Sequence, residues 1–451
     1  MKKILILLLI LATTDAMSQG RKIEFTEYDL DNGLHVILHQ DNTTPIVTVS
    51  VLYHVGSKNE PPGRTGFAHF FEHLMFEGSP NIGRGEYFKI IQGAGGQLNA
   101  NTTNDRTYYY QTLPSNQLEL GLYMESERML HAKIDSAGIA TQKEVVKEEK
   151  RQRIDNQPYG SILENMFKYA FEGTNYEWTP IGSFEDIDAA TEQDFVDFYE
   201  TFYVPNNATL AIAGDIDIPQ AKKLVKKYFG EIKRGTKDIP RPDIQVKEMD
   251  DEVRETVFDN IQLPAVVHAY RIPEQGTKDS YALTMLTTLL SGGESSRFQK
   301  AIVDEQQLAV AVQAFPFTME DAGLFGFFGL ANMGTSPEDL EASIEAEMER
   351  VKNELISEKE FQKLQNQVEN QFVRQNGSVQ GLAENLANYH VYFGSADLVN
   401  TELERYREVT REDIQRVAKQ YLTKDNRVVL TYLSKSAQKQ PDSETLKKEG
   451  N

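Results

Sequence analysis

The sequence predicts an α+β fold built as two similar domains, and three observations carry that reading. At 451 residues the chain is too long for a single hydrophobic core. Short β-branched runs with period-two alternation are interleaved with helical periodicities along its length. One stretch also recurs in outline. Thr191-Glu192-Gln193-Asp194-Phe195 leads through a helix to Tyr203 and on to a strand, and Thr410-Arg411-Glu412-Asp413-Ile414 leads through a helix to Tyr421 and on to another. Thr410 lies 219 residues after Thr191, and Tyr421 lies 218 after Tyr203, a spacing that marks a duplicated domain.

Composition narrows the partners. Forty per cent hydrophobic and 25% charged residues is ordinary globular usage. A net charge of −21 argues against nucleic acid or an anionic membrane as ligand. With no cysteine, disulfides, thiolate metal ligands and cysteine-linked lipids are excluded. Residues 1–18 read as a secretory signal: Lys2 and Lys3 precede a short apolar run, and Ala16 and Ser18 place small residues before a cleavage point at Gln19. That run is too short to span a bilayer, and no later run is long enough. An exported chain, located in a periplasm, is the expectation.

Taken in order, residues 22–26 and 34–39 alternate like strands around a turn at Gly33, and 46–53 form a longer β-branched strand. His35, His39 and His54, on or beside these strands, read as structural or exposed. A loop with Pro61, Pro62 and Gly63 leads to the helix of the central motif, and a second helix covers about 85–91. The glycines of 93–96 turn the chain into the polar strand that starts at Gln97, followed by another strand over 107–114. A polar strand entered through glycines fits an exposed sheet edge, where a peptide can add as an extra strand, but taken alone the stretch reads more simply as an ordinary hairpin. Helices are expected at 118–133, 142–153, 195–202 and 219–229, with a buried strand at 208–215. Residues 233–250, with Gly235, Pro240 and Pro242 among many charges, read as a linker between domains at 19–232 and 251–435, and 436–451 as a polar tail.

The chemistry concentrates in Gly66-Phe67-Ala68-His69-Phe70-Phe71-Glu72-His73-Leu74-Met75-Phe76-Glu77-Gly78. His69 and His73 are four apart and share one helix face. Two neutral imidazoles so placed suit zinc, and Glu72 can reach a water at the ion without being a ligand. The order His-x-x-Glu-His is that of the inverzincins. A third ligand is expected from the helix at 142–153, where Glu148 and Glu149 are candidates. Val145 and Val146 define its inner face, and Glu149 shares that face better.

The motif, the downstream glutamate, the duplicated half and the length together resemble the pitrilysin/insulinase family of zinc peptidases. The likeness is closest to the short two-domain branch that includes the mitochondrial processing peptidases and their bacterial relatives. The resemblance implies two α+β domains, each an antiparallel sheet flanked by helices, closing as a clamshell. It implies one Zn2+ per chain held by His69, His73 and Glu149, with Glu72 as catalytic base, and substrate backbone bound along Gln97, Leu98, Asn99 and Ala100. Gln142 stands where related peptidases often carry a glutamate behind the ligands. Val303 and Val310 stand where active single-chain members place an arginine and a tyrosine that grip substrate. The implied function is a zinc-dependent endopeptidase for unfolded peptides, working as the catalytic subunit of a hetero-oligomer whose homologous partner chain supplies the arginine and tyrosine. The competing reading is an inactive structural or peptide-binding subunit.

Overall fold

The computed structural model describes residues 22–439, so the signal expected at 1–18 and most of the polar tail lie outside the described residues. Eleven strands form two sheets. The first contains β1 (Thr26–Asp29), β2 (His35–Gln40), β3 (Ile46–Tyr53), β4 (Gln97–Thr102), β5 (Thr107–Pro114) and β6 (Ala208–Gly214), in the order β1-β2-β6-β3-β5-β4. The second contains β7 (Val253–Asp259), β8 (Ala265–Ile272), β9 (Ala309–Thr318), β10 (Gly323–Ala331) and β11 (Arg427–Ser434), in the order β7-β11-β8-β10-β9. Apart from β1, the two sheets have the same topology strand for strand.

Each sheet departs from pure antiparallel pairing at one place. β2 runs parallel to β6 and β7 parallel to β11, whereas every other pair is antiparallel. The last strand of each half returns to the sheet only after several helices, and a long helical excursion lets a strand come back in either direction. The first strand also starts later than its alternation suggests, at Thr26 rather than residue 22.

The repeat seen in the sequence is a repeat of capping chemistry. Thr191 accepts a hydrogen bond from the Asp194 N–H while the Asp194 carboxylate accepts from the Thr191 N–H, and Thr410 and Asp413 do the same. Such a reciprocal cap satisfies donors that a helix start otherwise leaves open. Both helices then pass through a short 3-10 turn into the last strand of their sheet. No helix or strand occurs between Phe229 and Val253.

The cores cross the halves. The helix Ile162–Ala170 follows the first five strands of the first sheet, yet Met166, Phe167 and Ala170 are buried with Val267, Leu324 and Leu430 of the second. Conversely, the helix Val379–Phe393 buries Leu382, Ala383, Leu386 and Ala387 against Ile37, Leu52, Ala211 and Ala213 of the first sheet. Each half therefore covers one face of the other's sheet, and each large apolar side chain buried there contributes about 1.5–3 kcal/mol. A polar clasp lies beside this apolar exchange. Lys58 Nζ sits 3.1 Å from Asp105, 2.6 Å from Glu320 and 2.7 Å from Asp321, the last two at the β9–β10 turn, and His54 Nε2 lies 2.7 Å from Glu320. Among the described residues no helix is long and apolar enough to cross a membrane.

Candidate metal centre

The motif helix is Phe67–Leu74. It begins at Gly66, whose φ of 92° is left-handed and where an added Cβ would meet the Ile181 carbonyl oxygen at 2.9 Å, so glycine is required there. With no side chain at Gly66 to cap the helix, Glu60 takes that role. Its carboxylate accepts from the N–H groups of Gly66 (2.9 Å) and Ala68 (2.8 Å), and the Trp178 indole N–H donates to it at 2.9 Å. Phe67, Phe70, Phe71 and Leu74 are buried, with Phe67, Phe70 and Phe71 packed against Phe195. The apolar stripe fixes the helix rotation and leaves His69, Glu72 and His73 on the opposite side.

The second element is the helix Ser136–Lys150, capped by the Asp135 carboxylate, which accepts from the Gly138 N–H at 2.7 Å. Here one sequence expectation is corrected. Val146 is fully buried, but Val145 is 43% exposed at the rim of the site, because successive helical residues point about 100° apart. Val146 alone marks the inner side, and Glu149, three residues on, reaches the histidines. Glu148 faces solvent and accepts from Gln152 at 2.8 Å. After Lys150 the helix loosens into a π-turn over Arg151–Asp155, from which Arg153 reaches Glu149 Oε1 at 2.7 Å.

His69, His73 and Glu149 each bring one donor atom within 4.8 Å of the others. Glu149 Oε2 lies 3.7 Å from His69 Nε2 and 3.2 Å from His73 Nε2. These distances bracket the edge, about 3.3 Å, of a tetrahedron with zinc–ligand bonds of about 2.0–2.1 Å. Two imidazole nitrogens and one carboxylate oxygen are also a donor set of catalytic zinc, so the residues fit that ion. Burial, and then the neighbouring His73, push His69 down to about 4 against the opposing pull of Glu149, which keeps its imidazole neutral at pH 7. The His73 imidazole, at hydrogen-bonding distance, holds Glu149 below the usual carboxylate range. Burial raises Glu72, opposed by Thr102 Oγ1, which donates to its Oε2 at 2.7 Å.

Gln142 does lie behind the ligands. His73 Nδ1 is 3.2 Å from Gln142 Oε1, so an N–H there orients the Nε2 lone pair into the site. Gln142 Nε2 in turn donates to Glu77 Oε1 at 2.5 Å, Glu77 pairs with Arg84, and Arg84 donates to Asp135 at 2.9 Å. The carboxylate that Gln142 lacks is thus present one step further out, on Glu77. Glu77, Thr102 and Glu60 join the site only through the fold. A buried acid closing an apolar helix was the available signal for Glu77, and strand alternation from Ala100 the signal for Thr102; nothing local signals Glu60.

Beside the cluster is a cavity of about 620 Å³. One wall is β4, the edge strand of its sheet, through Asn99, Ala100, Asn101 and Thr102. Gln97 and Leu98 lie earlier on the same strand and off this wall. Val303 packs against the core of the second half and Val310 is 51% exposed on β9; neither lines the cavity.

A duplicated α+β scaffold with a two-histidine, one-glutamate cluster on one copy, an acid beside it and an open strand along it has the architecture of the zinc-peptidase class. The chain belongs to the M16 family: residues 35–181 match Insulinase (Peptidase family M16), and residues 189–368 match the Peptidase M16 inactive domain. The zinc protease PqqE of Helicobacter pylori is 32% identical over 407 residues, covering 90% of this chain and 91% of that one. The probable mitochondrial-processing peptidase subunit beta of Arabidopsis thaliana is 24% identical over 87% of this chain and 75% of its own. A crystal structure of a protease from Helicobacter pylori superimposes with a TM-score of 0.87 at 30% identity, covering 91% of this chain and all of that one.

Proposed function

We propose that this chain is a zinc-dependent endopeptidase acting on unfolded peptides. The observation that carries the proposal is the convergence of His69, His73 and Glu149 beside Glu72 on the wall of a cavity that ends at an open strand. Zinc held by the three ligands would polarise a peptide carbonyl and acidify a water molecule near neutral pH. Glu72 has one carboxylate oxygen fixed by Thr102 and the other free to accept the proton of the attacking water and return it to the leaving amine. The outer edge of β4 offers unpaired backbone groups to an extended substrate, and only a chain without tertiary structure can lie along it. The division into domains at 19–232 and 251–435 belongs to the same reading, as does export to a periplasm through the signal at residues 1–18.

Val303 and Val310 offer no hydrogen-bond donor to an oxyanion, and the loss of one such donor in other hydrolases costs about 3–4 kcal/mol. A homologous partner without the zinc motif, carrying the arginine and tyrosine, completes the site in this reading. The test is hydrolysis of an unfolded peptide by the purified zinc-loaded chain, alone and with such a partner. Weak turnover alone and strong turnover together supports it. Full turnover by the single chain removes the partner, and no turnover in either case with zinc bound leaves the second reading, a peptide-binding subunit, which the two valines favour.

A further inference from the structure

The wall of the cavity that faces β4 carries a charge with no part in the chemistry so far described. Gln142, Val145, Glu149 and Arg153 all line the cavity, at spacings of three and four residues. They form one stripe along the helix Ser136–Lys150 and the π-turn that continues it, with Val145 one turn before Glu149 and Arg153 one turn after. Apart from the two ligand histidines, Arg153 is the only basic side chain among the described residues that line this cavity. We propose that Arg153 reads a carboxylate of the substrate, so that the site prefers peptides with an acidic group close to the cleaved bond. The inference rests on the peptidase reading and adds to it the class of peptide that the site takes.

Arg153 is held in place but not used up. Its Nη1 lies 2.7 Å from Glu149 Oε1, whereas Glu149 Oε2 is the oxygen that faces both histidines. The contact therefore ties the guanidinium to the ligand residue without competing for the ligand oxygen. Among the described residues the guanidinium has no other ion-pair or hydrogen-bond partner. Its side chain is 75% exposed, so the rest of its N–H fork is open to what enters the cavity. A planar fork with one arm fixed and the others free is prepared for a carboxylate, which accepts parallel N–H bonds from it.

Charge favours the same ligand. The carboxylates of Glu72 and Glu149 match a divalent ion held at the site, which leaves Arg153 as the unmatched charge of the cavity. An ion pair on open surface is worth little. A carboxylate that enters beside Phe76, Phe88 and Val145 meets the guanidinium with less water between them, and the attraction grows accordingly. Distance sets where the acid sits. One helical turn rises about 5.4 Å and an extended peptide advances about 3.3 Å per residue. Arg153 thus stands alongside a substrate group about two or three residues from the bond at the metal, on the side away from Val145.

The test compares unfolded peptides of otherwise equal sequence on the full zinc-loaded chain. One series walks a glutamate through the positions around the cleaved bond and has an amidated end, a second has glutamine in its place, and a third has glutamine and a free terminal carboxylate. At its best position glutamate should raise kcat/KM over glutamine roughly 5–10-fold, chiefly through KM. Arg153→Gln should bring that ratio to about one, and Arg153→Glu should invert it. A preference for the free terminal carboxylate over the amide, removed by Arg153→Gln, assigns the same guanidinium to the chain end instead of a side chain. Dissociation constants of the peptides for zinc-loaded Glu72→Gln, in which turnover is lost, should show the same ratio and the same loss when Arg153→Gln is added. Absence of cleavage together with a binding preference that Arg153 controls removes the peptidase reading and leaves the carboxylate site standing. Equal rates and equal affinities for the acidic and neutral peptides, or a preference that survives Arg153→Gln, overturn the proposal. So does loss of zinc in Arg153→Gln with the ratio unchanged, which would make Arg153 a support of Glu149 alone.

Discussion

The motif helix Phe67–Leu74 and the helix Lys278–Ser291 occupy the same position in the two halves, each following the strand that pairs with the last strand of its sheet. Their polar groups have opposite fates. In Lys278–Ser291 the hydroxyls of Thr284, Thr287, Thr288 and Ser291 each donate to the carbonyl one turn earlier, so the helix consumes its own polarity. In the motif helix His69 Nδ1 is buried without a partner, and the Nε2 atoms of both histidines converge on Glu149. One scaffold thus gives a closed structural helix in one copy and an open donor set in the other. What separates them is where the polar groups point: back onto the helix's own carbonyls in one copy, and together onto Glu149 of a second helix in the other.

The strongest way to break the contrast is to remove the ligand from the second element. Glu149→Gln should lose zinc and with it all turnover, whereas Glu148→Gln should keep both, because only Glu149 faces the histidines. Metal analysis of the two purified variants decides it, and normal zinc in Glu149→Gln removes it from the ligand set. Next in size, Glu72→Gln should retain zinc and lose turnover by about 10²–10⁴-fold, the range of a positioned base. A rate near that of the unaltered chain would leave Glu72 without that role.

The clasp between the halves predicts a pH effect. Burial works to raise Glu320, but the hydrogen bond from His54 and the charge of Lys58 outweigh it and hold the carboxyl down at about 2. A carboxyl depressed in the folded state stabilises above its unfolded value of about 4.3, and that stabilisation is lost as pH falls through the folded value. Glu320→Gln should therefore lower stability near neutral pH by on the order of 2–3 kcal/mol. The difference between the two proteins should shrink between pH 5 and pH 2, in the window set by these values of about 2 and about 4.3. Denaturant midpoints at several pH values measure it, and a pH-independent difference would show that packing, not charge, holds the clasp. The smallest expected effect is that of Glu77→Gln, which leaves every ligand in place but removes the charge behind Gln142. Zinc affinity should fall roughly 10–100-fold with turnover per bound zinc little changed, and unchanged affinity would make Glu77 a structural partner of Arg84 only.

Local signals were legible in the sequence and cross-chain ones were not. The β-branched run of β3 and the aromatic run of β5 show their bounds in the alternation itself, and the glycines before Gln97 mark the start of β4, a hairpin strand whose place at the sheet edge the stretch alone does not decide. The spacing of His69 and His73 is a property of one helix and needs no tertiary knowledge. Glu149 is harder, since two adjacent glutamates compete, and the paired valines overstated the inner side of their helix by one residue. Glu77 and Gln142 are 65 residues apart in the chain, and nothing in either segment says that they meet. Amphipathic patterning of Ile162–Ala170 shows that one stripe is buried but not which sheet buries it, which is why its transfer to the other half is invisible before the structure.

That transfer sets an order of events as the chain is made. The first sheet has all its strands once Gly214 has been synthesised, but Ile37, Leu52, Ala211 and Ala213 on one of its faces stay uncovered until the helix beginning at Val379 emerges. At roughly 5–20 residues per second the ribosome leaves that apolar face bare for on the order of ten seconds or more, long against the time a sheet needs to form. The half that carries the metal ligands therefore keeps a bare apolar face until the other half is nearly complete, and a chain truncated before residue 379 should aggregate rather than persist as a separate folded domain.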